Sequence, residues 1–522
     1  GEFYTPKLFA DKAVDYLKKS VPNCFSDDFR LWDMAAGTGN LEFSLPEEFL
    51  SKCYISTLIQ DEVDYCNKIF NAATCFKFDF LNDDAANLPE NLKNDLNNPN
   101  IKWIIFINPP YATANNKNLA NRTINKDNVS MTAIRKIMTG ENLGETSREL
   151  VMQFIYRISR IFAGKTAYLG MFSKINYINA RNDQKLRDKI FRYKFERGFI
   201  FNSQNFHGCK GKWPVGFLIW NLSEQIPLEG QEIPLEVWKK YKNNYLVRQS
   251  IKILRPAKYK DFLSNWIYRP PCKEKFPPFS GALNLANKNK DRRDRISDDF
   301  LASLMCKGNE FCNQDFTAIL SAPYVSAGAF SITPKNFEQA MVVHLVRRLP
   351  KATWLNDRDQ FMRPTKPLPA EFIVDCVVWS LFAPSNQTTA LRDVEYAGEL
   401  YQIRNNFYPF LLSEIKSWEI GSIKIRRQLE VAENRFAALY LSEKKLSPEA
   451  AQILDDARAI YKEFYTEILN LDLSRWKIDT WDAGWYQIRN ALGAKIDLKP
   501  LADKLEPQIY ELGFLRDEVI EF

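Results

Sequence analysis

Histidine is almost missing from this chain. Only His207 and His344 occur among 522 residues. Two are too few for a His-built metal centre, and they weaken any Ser/His/Asp scheme. Cysteine is present but unorganised: nine residues, at 24, 53, 66, 75, 209, 272, 306, 312 and 376, with no Cys-x-x-Cys. An odd, scattered set points to neither a disulfide framework nor a zinc site. No apolar run reaches the roughly 18–20 residues of a membrane span. The opening stretch, "GEFYTPKLFADKAVDYL", carries no secretory leader pattern. The 20 glycines and 26 prolines are dispersed, so no long disordered tract is expected. These absences predict a reduced, cytoplasmic protein with no bound metal and no membrane segment.

What is present is ordinary globular composition, 45% apolar and 26% charged, with a net charge of +7. That mild excess fits a polyanionic partner without requiring one. Basic residues cluster in "NKNKDRRDR", which holds Lys288, Lys290, Arg292, Arg293 and Arg295. They cluster again in "VRRLPK" and "KIRR". A solvated surface explains each cluster as well as a nucleic acid does.

Over residues 1–222, short apolar runs alternate with helical patterns. "FRLWDMA", "CFKFDF", "IKWIIFI", "KTAYLGMFS", "RGFIFNS" and "VGFLIWNL" read as strands. "TSRELVMQFIYRISRIF" reads as an amphipathic helix, with Thr146 or Ser147 as its cap. The alternation predicts a doubly wound, mostly parallel α/β sheet whose ligands sit at the carboxyl ends of its strands. Residues 223–405 read as a mixed α/β region beginning with an irregular β segment. Residues 406–522 read as mainly helical, including "EVAENRFAALYL" and a helix capped by Ser447 with Pro448 in its first turn.

Four strand ends carry chemistry. The first is "DMAAGTGN": Asp33 closes the strand, and Gly37 and Gly39 let backbone approach a ligand closely. Position 42 is Glu and no Walker Lys follows, so neither a dinucleotide fingerprint nor a phosphate loop is complete. The second strand should end between Thr57 and Asp61, where an acid would meet ribose hydroxyls. Asp61 or Glu62 supplies one, although each also suits a helix N-terminus. The third ends in Asp79-Phe80, an acid beside an aromatic, suited to an exocyclic amine on a stacked ring. The fourth is "FINPPY". Pro109 and Pro110 have no N–H, so they end the ladder and fix its direction. Asn108 and the Pro109 carbonyl are two adjacent acceptors for the two hydrogens of a primary amine, and Tyr111 offers a flat face.

In this order the motifs "FYTP", "DMAAGTGN", "DF" and "NPPY" resemble the S-adenosylmethionine-dependent DNA adenine-N6 methyltransferases of the gamma class, in their long type IIG-like or solitary forms. The clear motifs cover residues 3–222. "NFHGCKGKWPVGFLIW" and "SNQTT" are similar to further segments of such enzymes. The resemblance implies a Rossmann-like methyltransferase domain followed by a mixed α/β and helical DNA-recognition region. It implies that Tyr4, Thr5 and Pro6 cover the methionine end of S-adenosylmethionine, and that Asp33, Ala35, Gly37 and Gly39 line it. Asp79 would take the cofactor's adenine amine with Phe80 stacking on that ring. The ribose partner is left open between Thr57 and Asp61. Asn108, Pro109, Pro110 and Tyr111 would hold the target base.

A catalytic centre of this kind works by positioning and electrostatics and needs no histidine. Phe206 is a candidate second aromatic wall, with core packing as the simpler alternative. Lys210 and Lys212 are candidates for phosphate contact. The Asn-rich segment after Tyr111 is a candidate flap. The expected partner is double-stranded DNA, joined by a nuclease domain or subunit if the chain serves a restriction system, and the expected state is monomeric. Two other readings remain: methylation of RNA or of a protein glutamine, and a non-catalytic module that reads DNA for a nuclease.

Overall fold

The computed structural model describes residues 4–111, 131–207, 209–242, 244–286, 295–324, 328–467, 470 and 473–522. The Asn-rich segment and four of the basic residues of "NKNKDRRDR" lie outside them. The chain forms two compact units. The first comprises residues 1–259, 353–359 and 516–522, and the second residues 260–352 and 360–515.

The first unit is built on a ten-stranded sheet. Its strands are β1 (Phe29–Asp33), β2 (Cys53–Thr57), β3 (Thr74–Lys77), β4 (Lys102–Ile107) and β5 (Ala167–Lys174). They continue with β6 (Tyr193–Asn202), β7 (Pro214–Gln225), β8 (Ile233–Lys240) and β9 (Leu246–Leu254). A final strand, Glu518–Glu521, lies antiparallel on β9. The spatial order runs β3-β2-β1-β4-β5-β7-β6-β8-β9. From β3 to β5 every pairing is parallel. The chain winds outward from β1 in one direction and from β4 in the other, so the β1/β4 seam is the switch point at which such sheets open a crevice. This is the doubly wound architecture that the alternating pattern predicts.

The parallel strands are apolar because both faces are covered. In β4, Trp103 to Ile107 are fully buried. Each such side chain stabilises the fold by about 1.5–3 kcal/mol. Helix α1 (Lys7–Ser20) lays Phe9 on Phe201, with ring centroids 3.9 Å apart. A later helix, Leu150–Ile161, lays Phe154 on Phe80 at 5.1 Å. That helix is not capped by Thr146 or Ser147. Both lie in a preceding 3-10 turn, where the Thr146 hydroxyl donates to Asp183 at 2.5 Å and the Ser147 hydroxyl to the Gly144 carbonyl at 2.8 Å.

The sheet does not stop at residue 222. The irregular β segment is a hairpin with a register shift at Val237/Trp238: β8 pairs in parallel with β6, and β9 returns antiparallel to β8. The first unit therefore continues to Tyr259.

The second unit holds a small sheet ordered Phe330–Ile332, Ala302–Cys306, Thr317–Leu320, Asn386–Gln387. Residues on both sides of 405 share one apolar core in it, because the helices Phe337–Arg348, Ala370–Phe382 and Pro448–Glu467 bury their apolar faces together. Ser447 caps the last of these: its hydroxyl oxygen accepts the Ala450 N–H at 3.3 Å and donates to Asp375 at 2.7 Å. "EVAENRFAALYL" is not one helix. Leu429 ends one helix and Phe436 begins the next. Between them Arg435, with its buried guanidinium, turns inward to a buried carboxylate, Asp482.

Candidate functional site

The carboxyl ends of β1 to β4 surround a cavity of about 270 Å³, near the lower end of the ~300–1,000 Å³ usual for small-molecule sites. Each strand end brings a different group.

At β1, the Asp33 carboxylate accepts the Ala35 N–H at 2.7 Å, which fixes the turn. Gly37 and Gly39 follow with φ of 55° and 77°, a region that side chains disfavour. Their surroundings differ. A Cβ on Gly37 would sit 3.9 Å from Tyr4 and 4.0 Å from Glu62, both in the cavity wall, whereas one on Gly39 would fall 2.3 Å from the Phe70 ring. Gly37 keeps the cavity open; Gly39 lets α2 (Gln60–Ile69) and its following Phe70 pack close.

Asp33 is 1% exposed, and its second carboxylate oxygen has no hydrogen-bond partner among the described residues. Burial raises its pKa well above the ordinary carboxylate range, and the neighbouring Glu42 carboxyl raises it further. Glu42 is equally buried, with both oxygens unpartnered among the described residues. Burial pushes its pKa up to about 7. An acid whose folded pKa is raised takes up a proton on folding between its unfolded and folded values. Its contribution to stability is therefore fullest below about pH 4.5 and is lost as pH rises toward 7. Glu42→Gln is expected to raise the melting temperature at pH 8 and leave it little changed at pH 4.5. Asp517, another buried acid raised to about 7, has the same sign, so the test is the difference between variant and parent melting curves. An equal shift at both pH values would contradict this assignment.

At β2, the strand stops at Thr57, whose hydroxyl donates to Glu62. Glu62 and Thr57 line the cavity; Asp61 is exposed and does not. Leu58 and Ile59, 59% and 49% exposed, form an apolar lip on the same wall. Leu58, Ile59 and the choice of Glu62 were not readable from the strand pattern. The signal was the helix start at Gln60, which turns position 62 inward.

At the end of β3, the Asp79 carboxylate holds its own turn. One oxygen accepts the N–H groups of Leu81 and Asn82 at 3.0 and 3.2 Å, and the other accepts the Asn82 amide at 2.7 Å. Phe80 lines the cavity and stacks on Phe154, which lines it too.

At β4, the Asn108 amide is oriented from both sides. Its nitrogen donates to the Thr5 hydroxyl oxygen at 3.0 Å, and its carbonyl oxygen accepts the Tyr111 hydroxyl at 2.9 Å. The Tyr111 carbonyl accepts from Lys174 at 3.4 Å. Burial lowers the pKa of that amine and raises that of the Tyr111 phenol.

The cavity thus gathers Tyr4, Thr5, Asp33, Ala35, Gly37, Thr57, Asp79, Phe80, Asn108, Pro109, Pro110 and Tyr111. It does not gather Pro6, Gly39 or Asp61. Pro6 instead caps α1, its carbonyl accepting the Phe9 N–H at 2.9 Å. Phe206 is 1% exposed and meets Tyr111 edge-on at 6.2 Å, outside the lining. Lys210 and Lys212 are exposed beyond it.

No protein-family model and no curated protein sequence matches the chain. Several solved structures show likeness. The DNA complex of DrdV is 18% identical over 45% of this chain and 27% of that one, with a TM-score of 0.32. The ATP-dependent Type ISP restriction-modification enzyme LlaBIII bound to DNA is 14% identical over 45% and 20%, with a TM-score of 0.31. A type I restriction-modification methyltransferase subunit from Streptococcus thermophilus is 12% identical over 47% and 49%, with a TM-score of 0.30. The likeness spans between a fifth and a half of those chains. At this level it bears on no residue of the site.

Proposed function

We propose that the chain transfers a methyl group from S-adenosylmethionine to the N6 amine of an adenine flipped out of double-stranded DNA. One observation carries this reading: Asn108 and Pro109, which offer a side-chain and a main-chain acceptor, line the β1/β4 crevice at the end of β4.

The residues fit the cofactor. Asp33 lines the cavity with a buried carboxyl beside Glu42, and an α-ammonium group bound there would favour its ionised form. Glu62, held by Thr57, would take the ribose hydroxyls. Phe80, Leu58 and Ile59 supply apolar walls for a purine. Bound there, S-adenosylmethionine supplies an electrophilic methyl group.

The chain's own residues prepare the amine. The lone pair of an adenine amine is delocalised into the ring, so it is a poor nucleophile. Accepting both hydrogens at Asn108 and Pro109 draws the nitrogen toward a form with a localised lone pair. Thr5 keeps the amide the right way round for this. In the structure the Tyr111 hydroxyl occupies the Asn108 oxygen. The arriving base displaces that hydroxyl and stacks on the ring it belongs to. Stacking offsets part of the few kcal/mol needed to unstack the base.

The test is to incubate the protein with methyl-labelled S-adenosylmethionine and, separately, duplex DNA, RNA and protein extract. Label is expected in DNA. Label only in RNA or protein, or in none of the three, overturns the reading.

A further inference from the structure

The turn from β8 to β9, within "KKYKNNYLVR", exposes two tyrosines that no core requires. Tyr241 and Tyr245 are 39% and 48% exposed, yet their rings stack at 5.4 Å and 9°. The backbone locks them together. The Tyr241 N–H donates to the Tyr245 carbonyl at 3.0 Å, and Asn244, at φ 57°, donates to the Tyr241 carbonyl at 3.0 Å. Lys239, Lys240 and Lys242 are exposed around them. The Lys239 amine lies 5.5 Å over the Tyr241 ring. The nearest acids on the paired strands lie further down: Glu236 opposite Ile251, already paired with Arg248, and Glu521 opposite Ser250.

Strand direction locates this tip. β5 is parallel to β4 and antiparallel to β7. β7 is antiparallel to β6, and β8 is parallel to β6. β8 therefore runs with β4, and its carboxyl end, the hairpin tip, emerges from the same sheet edge as Asn108. Four strand spacings of roughly 4.8 Å separate the two, on the order of 20 Å. That is about six base pairs of duplex at 3.4 Å each.

We propose that the β8–β9 tip holds the phosphate backbone of duplex DNA to one side of the target base. The lysines neutralise phosphates, and the tyrosine hydroxyls, held by the stacked pair, donate to phosphate oxygens. This rests on the DNA reading above for its ligand. It adds a contact surface remote from the reacting amine.

The test measures anisotropy of a labelled mixed-sequence duplex as a function of salt. It compares the parent with Lys239→Gln/Lys240→Gln/Lys242→Gln, with the matching Lys→Arg triple, and with Tyr241→Ser/Tyr245→Ser. Cofactor binding and melting temperature serve as fold controls. The Gln triple is expected to bind about tenfold or more weakly, with the salt slope reduced by about 2–3. The Arg triple should bind as the parent does, and the Tyr pair more weakly with a nearly unchanged slope. Unchanged affinity and slope in the Gln triple overturn the proposal, as does a parent with no duplex binding at low salt. A parent that binds DNA through the tip but transfers no methyl group leaves this proposal standing and removes the catalytic one. A parent that methylates DNA while the tip variants bind normally does the reverse.

Discussion

Asn108→Ala is expected to lower the methyl-transfer rate by about a hundred- to a thousandfold, the usual loss when one preorganised polar partner of a transition state is removed. The fold should survive, because Asn108 is half-buried beyond the last residue of β4. Among the described residues, its partners Thr5 and Tyr111 lose one bond each, about 1 kcal/mol apiece. The loss should appear in kcat with cofactor affinity unchanged, since Asp33 and Glu62 are untouched. Tyr111→Phe is the informative contrast. It keeps the ring and removes the hydroxyl that occupies the Asn108 oxygen, so it should retain most of the activity. Single-turnover transfer to DNA measures both. An Asn108→Ala enzyme as fast as the parent would mean that the amide takes no part in holding the amine.

The largest stability effect is expected in the second unit, from Asp482→Ala. Asp482 is fully buried. One carboxylate oxygen accepts from Arg435 at 2.7 and 3.1 Å and from the Asn405 N–H at 3.2 Å, and the other accepts the Thr480 hydroxyl at 2.7 Å. Arg435 is 5% exposed and lies over the Trp481 ring at 4.8 Å. Removing the carboxylate leaves the buried guanidinium only the exposed Glu433 carboxylate, at 2.9 Å, as a counter-charge, which destabilises by up to about 3–5 kcal/mol. The double variant Arg435→Met/Asp482→Leu should recover much of this, because two apolar groups leave no charge behind. Urea unfolding followed by tryptophan fluorescence reads the change. A loss under about 1 kcal/mol for Asp482→Ala would show that the pair is hydrated or compensated elsewhere.

The parts of the site that were legible in the sequence are those set by local geometry. A buried strand that ends in Asn-Pro-Pro-Tyr has one place to put its acceptors, and Gly37 announces a turn that leaves a cavity open. Asp79 and Phe80 were equally visible, because a short strand must present its next residues to the crevice. Choices that depend on where a neighbouring element begins were not legible. Glu62 rather than Asp61 faces the cavity because α2 starts at Gln60. Thr146 and Ser147 read as caps, but tertiary partners claim both hydroxyls. The extent of the first unit was hidden for a different reason. Its last strands are half-exposed and rich in charge, and one of them returns from residues 518–521, a pairing that no local pattern encodes.

The proposed activity depends on the β4 end holding the exocyclic amine of adenine. It is tested most directly by digesting DNA methylated by the protein to nucleosides and identifying the modified base. N6-methyladenine alone is expected, absent when Asn108→Ala replaces the parent. Methylated cytosine, or N6-methyladenine formed equally well by Asn108→Ala, would contradict it.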